Sequence, residues 1–220
     1  MTANSNDFEK PTVLCLMGPT ASGKTALAER LAQEYPVRLI SVDSAIIYRQ
    51  LTIGAGKPEF PHALVNICDA HESYSAAQFC DDVTAEVRRT LEEQKRPCLV
   101  GGTMMYFRAL QKGMGQLPTT EPDVRAKVQA RLKQNGVNAL WEALAAVDPK
   151  AANKIHQNDP QRICRALEVY EMTGRPISEL QPPDHAPNFK FLNVGLWPDD
   201  RQWLHERINN RFDLMMEAGF

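Results

Sequence analysis

An α/β protein is predicted, in which a parallel sheet flanked by helices carries an all-α insertion. Three features of the chain predict it. An apolar run from Thr12 to Met17 leads into a glycine-rich stretch, Gly18 to Thr25, and then into a helical pattern. Strand-like apolar runs go on alternating with helical patterns through the first hundred residues. From about residue 115, strand character gives way to helical segments punctuated by proline and glycine. Strands separated by helices pair in parallel through right-handed crossovers, with helices on both faces.

The elements follow in order. Thr12 to Met17 reads as the first, buried strand, and Lys24 to Tyr35 as the helix after the glycine-rich turn. Val37 to Val42 is the second strand, and Ser75 can cap a helix running to Gln94. Pro97 to Val100 is a short buried strand, followed by Gly101, Gly102 and a helix from Thr103. Val124, Val128 and Leu132 mark one face of a helix starting at Pro122, and Leu140, Leu144 and Val147 mark a second helix. Asn158 or Asp159 can cap a third, with Pro160 in its first turn and Gly174 near its end. Phe191 to Trp197 returns to strand character, and Asp199 to Ala218 is a last helical pattern. The expected organisation is therefore a core made of residues 1–114 and 189–220, with a helical insertion at 115–188.

Composition narrows the class. At 43% hydrophobic and 24% charged residues, the chain reads as an ordinary soluble globular protein. No apolar stretch approaches a membrane span, so no membrane partner is expected. Met1 to Lys10 is polar and lacks the apolar core of a signal peptide, which predicts a cytoplasmic protein. Five widely spaced cysteines without a Cys-x-x-Cys pair predict free thiols, not a disulfide framework or a zinc site. The net charge of −2 conceals an asymmetry, because residues 103–175 hold 11 Lys+Arg against 7 Asp+Glu. That segment suits a polyanionic partner, although uneven surface charge without a partner looks the same.

Chemistry is concentrated at three places. Gly18, Pro19, Thr20, Ala21, Ser22, Gly23, Lys24 and Thr25 fill the eight-residue phosphate-loop pattern. Its glycines let successive backbone N–H groups turn inward on phosphate oxygens, aided by the positive end of the following helix. Lys24 supplies a point charge, and the Thr25 hydroxyl is a candidate ligand for Mg²⁺. Asp43, just after the second strand, should open on the same crevice as Gly18 and Gly101, since ligands sit beyond the carboxyl ends of parallel strands. It reads either as a general base or as a helix N-cap. Gln161, Arg162 and Arg165 are helix neighbours able to grip phosphates and a base edge, or ordinary surface residues.

Taken together, the motifs carry a resemblance. The loop from Gly18 to Thr25, then Asp43 to Tyr48, Ile53 and Gly54, Lys57 and Pro58, Tyr74 to Phe79, Gly101 to Tyr106, Asp159 to Val169 and Gly174 to Ser178 occur in order. The chain thereby resembles the tRNA dimethylallyltransferase family from residue 12 onward. The resemblance implies a P-loop NTPase-like fold and transfer of a five-carbon group from dimethylallyl diphosphate to the exocyclic amine of an adenosine. That adenosine lies 3′ of the anticodon in tRNA. It implies Asp43 and Thr103 as catalytic residues, residues 18–25 as the diphosphate site, and Mg²⁺ near Thr25. It implies RNA contacts from Asp43, Ser44, Ala45, Ile46, Thr103, Arg125, Gln161, Arg162, Ile163, Cys164 and Arg165, with the insertion clamping the anticodon stem-loop.

The resemblance also implies further helices after Phe220, so that the chain corresponds to a C-terminally truncated member, and a monomer is expected. Thr52 and Ala55 depart from the family pattern, which has Asp before Ile-Gly and Thr after it. Three other readings stand beside this one: a P-loop small-molecule kinase, a prenyltransferase acting on free adenine nucleotide, and a nucleotide-dependent RNA-binding switch.

Overall fold

A computed structural model describes residues 10–113, 117–180 and 187–220. Four strands form one sheet in the order β2-β3-β1-β4. They are β1 (Thr12–Met17), β2 (Val37–Val42), β3 (Arg96–Gly101) and β4 (Lys190–Gly195). Every pairing is parallel, with Met17 opposite Gly101 and Gly195, and Val42 opposite Gly101. All four carboxyl ends therefore finish at one edge, which sets Gly18, Asp43 and Gly102 side by side. Gly101 makes this close junction possible, because a Cβ there would stand 2.0 Å from the Val42 carbonyl oxygen.

The strands read as apolar runs because the sheet interior is covered on both sides. Val13, Cys15, Leu39, Ile40, Val42, Cys98 and Leu99 are all fully buried. Helix α1 (Lys24–Glu34) packs through Ala28 on Leu16, Leu39, Cys98 and Val100. Helix α2 (Ala76–Glu92) buries Phe79, Val83 and Val87, spaced four residues apart on one face. Each such burial stabilises the fold by about 1.5–3 kcal/mol. Ser75 caps α2 through a reciprocal pair with Gln78, fixing where the helix begins. Helix α3 (Met104–Lys112) follows β3 and buries Tyr106, Phe107 and Leu110. In contrast, β4 lies at the sheet edge with Leu192 exposed, and α7 (Arg201–Glu217) buries no residue fully.

The described residues fall into two compact units, one drawn from Met1–Gly113 and Ala186–Phe220, the other from Met114–His185. The second unit is helical: α4 (Pro122–Val147), α5 (Pro149–Ala152) and α6 (Pro160–Thr173). The two helices expected from Pro122 onward form one run interrupted at Gly136, whose φ of 79° is costly for any residue with a Cβ. Val128, Leu140, Leu144, Ile163 and Leu167 build its core. Asp148 is buried and caps α5 through the Ala151 amide, while also accepting from the Ser178 amide and hydroxyl. The short α5 was not anticipated, since one helical turn leaves no periodicity to read. Asp159, not Asn158, caps α6, accepting from the Arg162 amide at 3.0 Å.

All five cysteines are free thiols. Burial pushes Cys15 and Cys98, on neighbouring strands, up to about 12. Among the described residues, no helix is long and apolar enough to cross a membrane.

Candidate active site

The loop after β1 begins at a glycine that tolerates no added bulk. A Cβ on Gly18 would lie 2.7 Å from both the Leu196 carbonyl oxygen and Ser22 Oγ. Ala21 (φ 63°) and Gly23 (φ 91°) take left-handed conformations, turning the chain sharply into α1. No side chain caps α1, so its first amides stay open to an anion. Lys24 folds back across the loop and donates to the Pro19 carbonyl at 3.0 Å. Burial lowers its pKa, Asp43 opposes that fall, and Arg211 adds to it.

Beyond this loop lies a crevice of about 350 Å³, lined by Thr20, Lys24, Thr25, Asp43, Ala45 and Ile46 among others. Asp43 lies on the crevice, yet its carboxylate is also engaged locally. Its Oδ1 accepts from the Ala45 amide at 2.8 Å and the Ile46 amide at 3.4 Å. No helix starts there, so the N-cap reading is corrected to a short turn that holds the carboxylate in place. No hydrogen bond is recorded to Oδ2 among the described residues, and that oxygen remains available. Tyr106 stacks on Phe79 at 4.3 Å, and burial, then Tyr48 and Asp43, raises its phenol pKa.

Not every expected residue lines the crevice. Ser44 is exposed outside it, and Thr103 sits beside it as the residue before α3. The Thr103 amide donates to the Val42 carbonyl, while its hydroxyl caps nothing. Within the helical unit, Arg125, Gln161 and Arg162 are exposed. Ile163 and Cys164 are buried in that unit's core, where their side chains pack. Arg165 is likewise turned inward, donating to Thr120 Oγ1 and, at 2.9 Å, to the Pro118 carbonyl. Thr120 in turn donates to the buried Glu168 at 2.8 Å. Arg162, by contrast, is exposed and pairs with Asp159 at 3.4 Å.

The structure adds residues that sequence reasoning missed. Helix α7 runs along the loop, with Arg207 donating to the Ala21 carbonyl at 2.8 Å and stacking on Trp203. Arg211 borders both the crevice and a smaller hollow of about 250 Å³ on the loop's other side. It packs so closely on Gly56 that a Cβ there would fall 1.8 Å from its guanidinium. Arg207 and Arg211 lie four residues apart, and that spacing is the one local signal that they share a face. Two further polar atoms, Ser41 Oγ and His62 Nε2, are buried without a partner among the described residues, and both residues line the crevice. His62 Nδ1 lies 2.7 Å from the Phe60 carbonyl oxygen, which only accepts. Nδ1 therefore donates a proton in that contact.

A hard cation fits the crevice chemically, since the Thr25 hydroxyl and Asp43 carboxylate are oxygen donors. Among the described residues no group of three or more His, Cys, Asp or Glu side chains forms a metal cage. Mg²⁺ suits such a sparse site, because it keeps water and phosphate oxygens as its remaining ligands.

Comparison with known proteins gives a consistent picture. The profile of the family described as IPP transferase matches residues 46–220, and that of isopentenyl transferase matches residues 11–65. A tRNA dimethylallyltransferase of Legionella pneumophila (strain Corby) is 48% identical over 215 residues, covering 94% of this chain and 69% of the relative. One from Coxiella burnetii (strain Dugway 5J108-111) is 47% identical over 220 residues, covering 96% of this chain and 71% of the relative. Among solved structures, a eukaryotic dimethylallyltransferase acting on tRNA aligns with a TM-score of 0.77 at 28% identity, over 95% of this chain and 54% of that one. The tRNA isopentenylpyrophosphate transferase of Bacillus halodurans aligns with a TM-score of 0.58 at 33% identity, over 96% of this chain and 67% of that one.

Proposed function

The chain belongs to the IPP transferase family, and from that premise we propose that it prenylates tRNA. The reaction moves a dimethylallyl group from dimethylallyl diphosphate to the exocyclic amine of the adenosine 3′ of the anticodon. One observation carries the reading: a phosphate loop and a carboxylate open on the same crevice. The readings as a small-molecule kinase, a free-nucleotide prenyltransferase or a binding switch give way to it, because the relatives are named for tRNA.

The chemistry follows from the residues. The diphosphate lies against the α1 amides, Lys24 and Arg211, which absorb the charge that grows on it as the allylic C–O bond breaks. The adenine nitrogen attacks the allylic carbon, forming the C–N bond, and one N–H proton passes to the open oxygen of Asp43. Oδ1, already accepting two amides, keeps the carboxylate oriented for that transfer. Mg²⁺ is part of the proposal, held by Thr25 with phosphate oxygens and water. When bound, it supplies further neutralisation of the leaving group.

A stacked base cannot present its amine to a crevice, so the adenosine is flipped out of its loop at a cost of roughly a few kcal/mol. Exposed Arg125, Gln161 and Arg162 on the helical unit suit the RNA backbone. A single copy holds the loop, the carboxylate and both arginines, which supports a working monomer. A cytoplasmic location goes with a tRNA substrate.

Incubating the protein with Mg²⁺, dimethylallyl diphosphate and an anticodon stem-loop, then weighing the RNA, tests the proposal. A five-carbon gain that disappears in Asp43→Ala is the expected result. ATP turnover with unchanged RNA would overturn it.

A further inference from the structure

We infer that α7 sets the length of the hydrocarbon tail the crevice accepts, with Phe212 as its end stop; this rests on the prenyl-transfer reading above. The helix lays a mixed cationic and apolar face along the site. Arg207 is tied to the Ala21 carbonyl of the phosphate loop, and Arg211 borders that loop on both sides. Ile208, Phe212 and Met215 line the same crevice. At about 1.5 Å per residue, Met215 stands roughly 6 Å further along the axis than Arg211. Arg211 is flanked along that axis by Ile208 on one side and by Phe212 and Met215 on the other, so the wall offers a cationic point and apolar surface within the reach of a short alkyl chain. An allylic diphosphate carries both characters, a charged head and a short hydrocarbon tail.

The apolar end is closed by a specific contact. Phe212 meets Phe220 edge to face, with ring centroids 6.3 Å apart and planes at 76°. Phe220 is seated in a notch that only glycine can provide, since a Cβ on Gly54 would lie 2.1 Å from its ring. Phe212 thus lines the crevice while its ring also rests against Phe220. It is still 51% exposed, and α7 buries nothing fully, so these apolar groups are not core residues recruited to hold the fold. Exposed apolar surface of this kind gains by contact with a ligand's hydrocarbon. A crevice of about 350 Å³ lies at the small end of the range for ligand sites, which favours a short tail over a doubled one.

Titration calorimetry in Mg²⁺ on the 220-residue chain tests this with dimethylallyl diphosphate, geranyl diphosphate and inorganic diphosphate. The wild type should bind the dimethylallyl ester at least about tenfold more tightly than the geranyl ester, the order of selectivity a pocket gains against an added hydrocarbon group. In Phe212→Ala and in Phe220→Ala that ratio should collapse toward one, with inorganic diphosphate binding unchanged as proof of an intact loop. Leu214→Ala, exposed elsewhere on α7, should leave the ratio as it was. An unchanged ratio in both phenylalanine variants, with tight dimethylallyl binding retained, overturns the inference alone. Inorganic diphosphate binding with no gain for either ester overturns the inference and the transfer reading together.

Discussion

Lys24 and Asp43 share one crevice, and the carboxylate raises the pKa of an ammonium that burial first lowers. Arg211 pushes in the same direction as burial, so Asp43 is what offsets both. A group assigned to proton removal therefore also keeps the phosphate-binding charge in place. These two duties separate in experiment.

In Asp43→Asn the pKa of Lys24 falls further, because burial and Arg211 act unopposed. The ammonium is then lost at a lower pH, and diphosphate binding, which uses the charged form, weakens earlier as pH rises. Calorimetric titrations across the alkaline range should show that limb displaced to lower pH. The same variant should lose about 10²–10⁴-fold in prenyl transfer at neutral pH, the usual contribution of a positioned base. Coincident alkaline limbs in variant and wild type would sink the coupling.

Arg162 and Arg165 are three residues apart and should behave as opposites. Arg165→Ala strands the Pro118 carbonyl and removes one of the two bonds of the Thr120 hydroxyl, a loss of about 1–3 kcal/mol for the unsatisfied carbonyl. Its unfolding midpoint in urea should drop. Arg162→Ala should change stability by no more than about 0.5 kcal/mol. It should instead weaken stem-loop binding and lower the salt slope by about one.

Asp148 makes the helical unit sensitive to acid. Burial alone would raise its carboxyl, but the Ser178 amide and hydroxyl and the Ala151 amide outweigh that and hold it below the usual range. A carboxyl depressed on folding stabilises above its unfolded pKa, and that stability is lost as pH falls through the folded value. Unfolding midpoints should therefore decline on acidification, and Asp148→Asn, which keeps an acceptor without the charge, should flatten that decline. Equal acid slopes in both proteins would argue against it.

Much of the core was legible because its signals are local. The β1 run, the glycines of the loop, the Ser75 cap and Asp159 before Pro160 each announce themselves within a few residues. Asp43 was legible as a crevice residue for a topological reason, since parallel strands end at one edge. What escaped depends on distance along the chain. Nothing near Arg211 says that it packs on Gly56, and nothing near Phe220 points to Gly54. Helical spacing sets Gln161 and Arg162 outward and Ile163 and Cys164 into the core, but nothing local says that Arg165 is bound to Pro118 and Thr120, more than forty residues earlier.

The two buried sulfurs of the central strands give the molecule a built-in clock. Cys15 and Cys98 are walled off from reagents and held in the unreactive protonated form by the same burial. They lie on opposite faces of the sheet, Cys15 against Gln111 of α3 and Cys98 against Ala28 of α1, so the rates at which an alkylating probe tags them read the lifting of each helix layer from the sheet. Modification elsewhere on the chain would record smaller, local excursions.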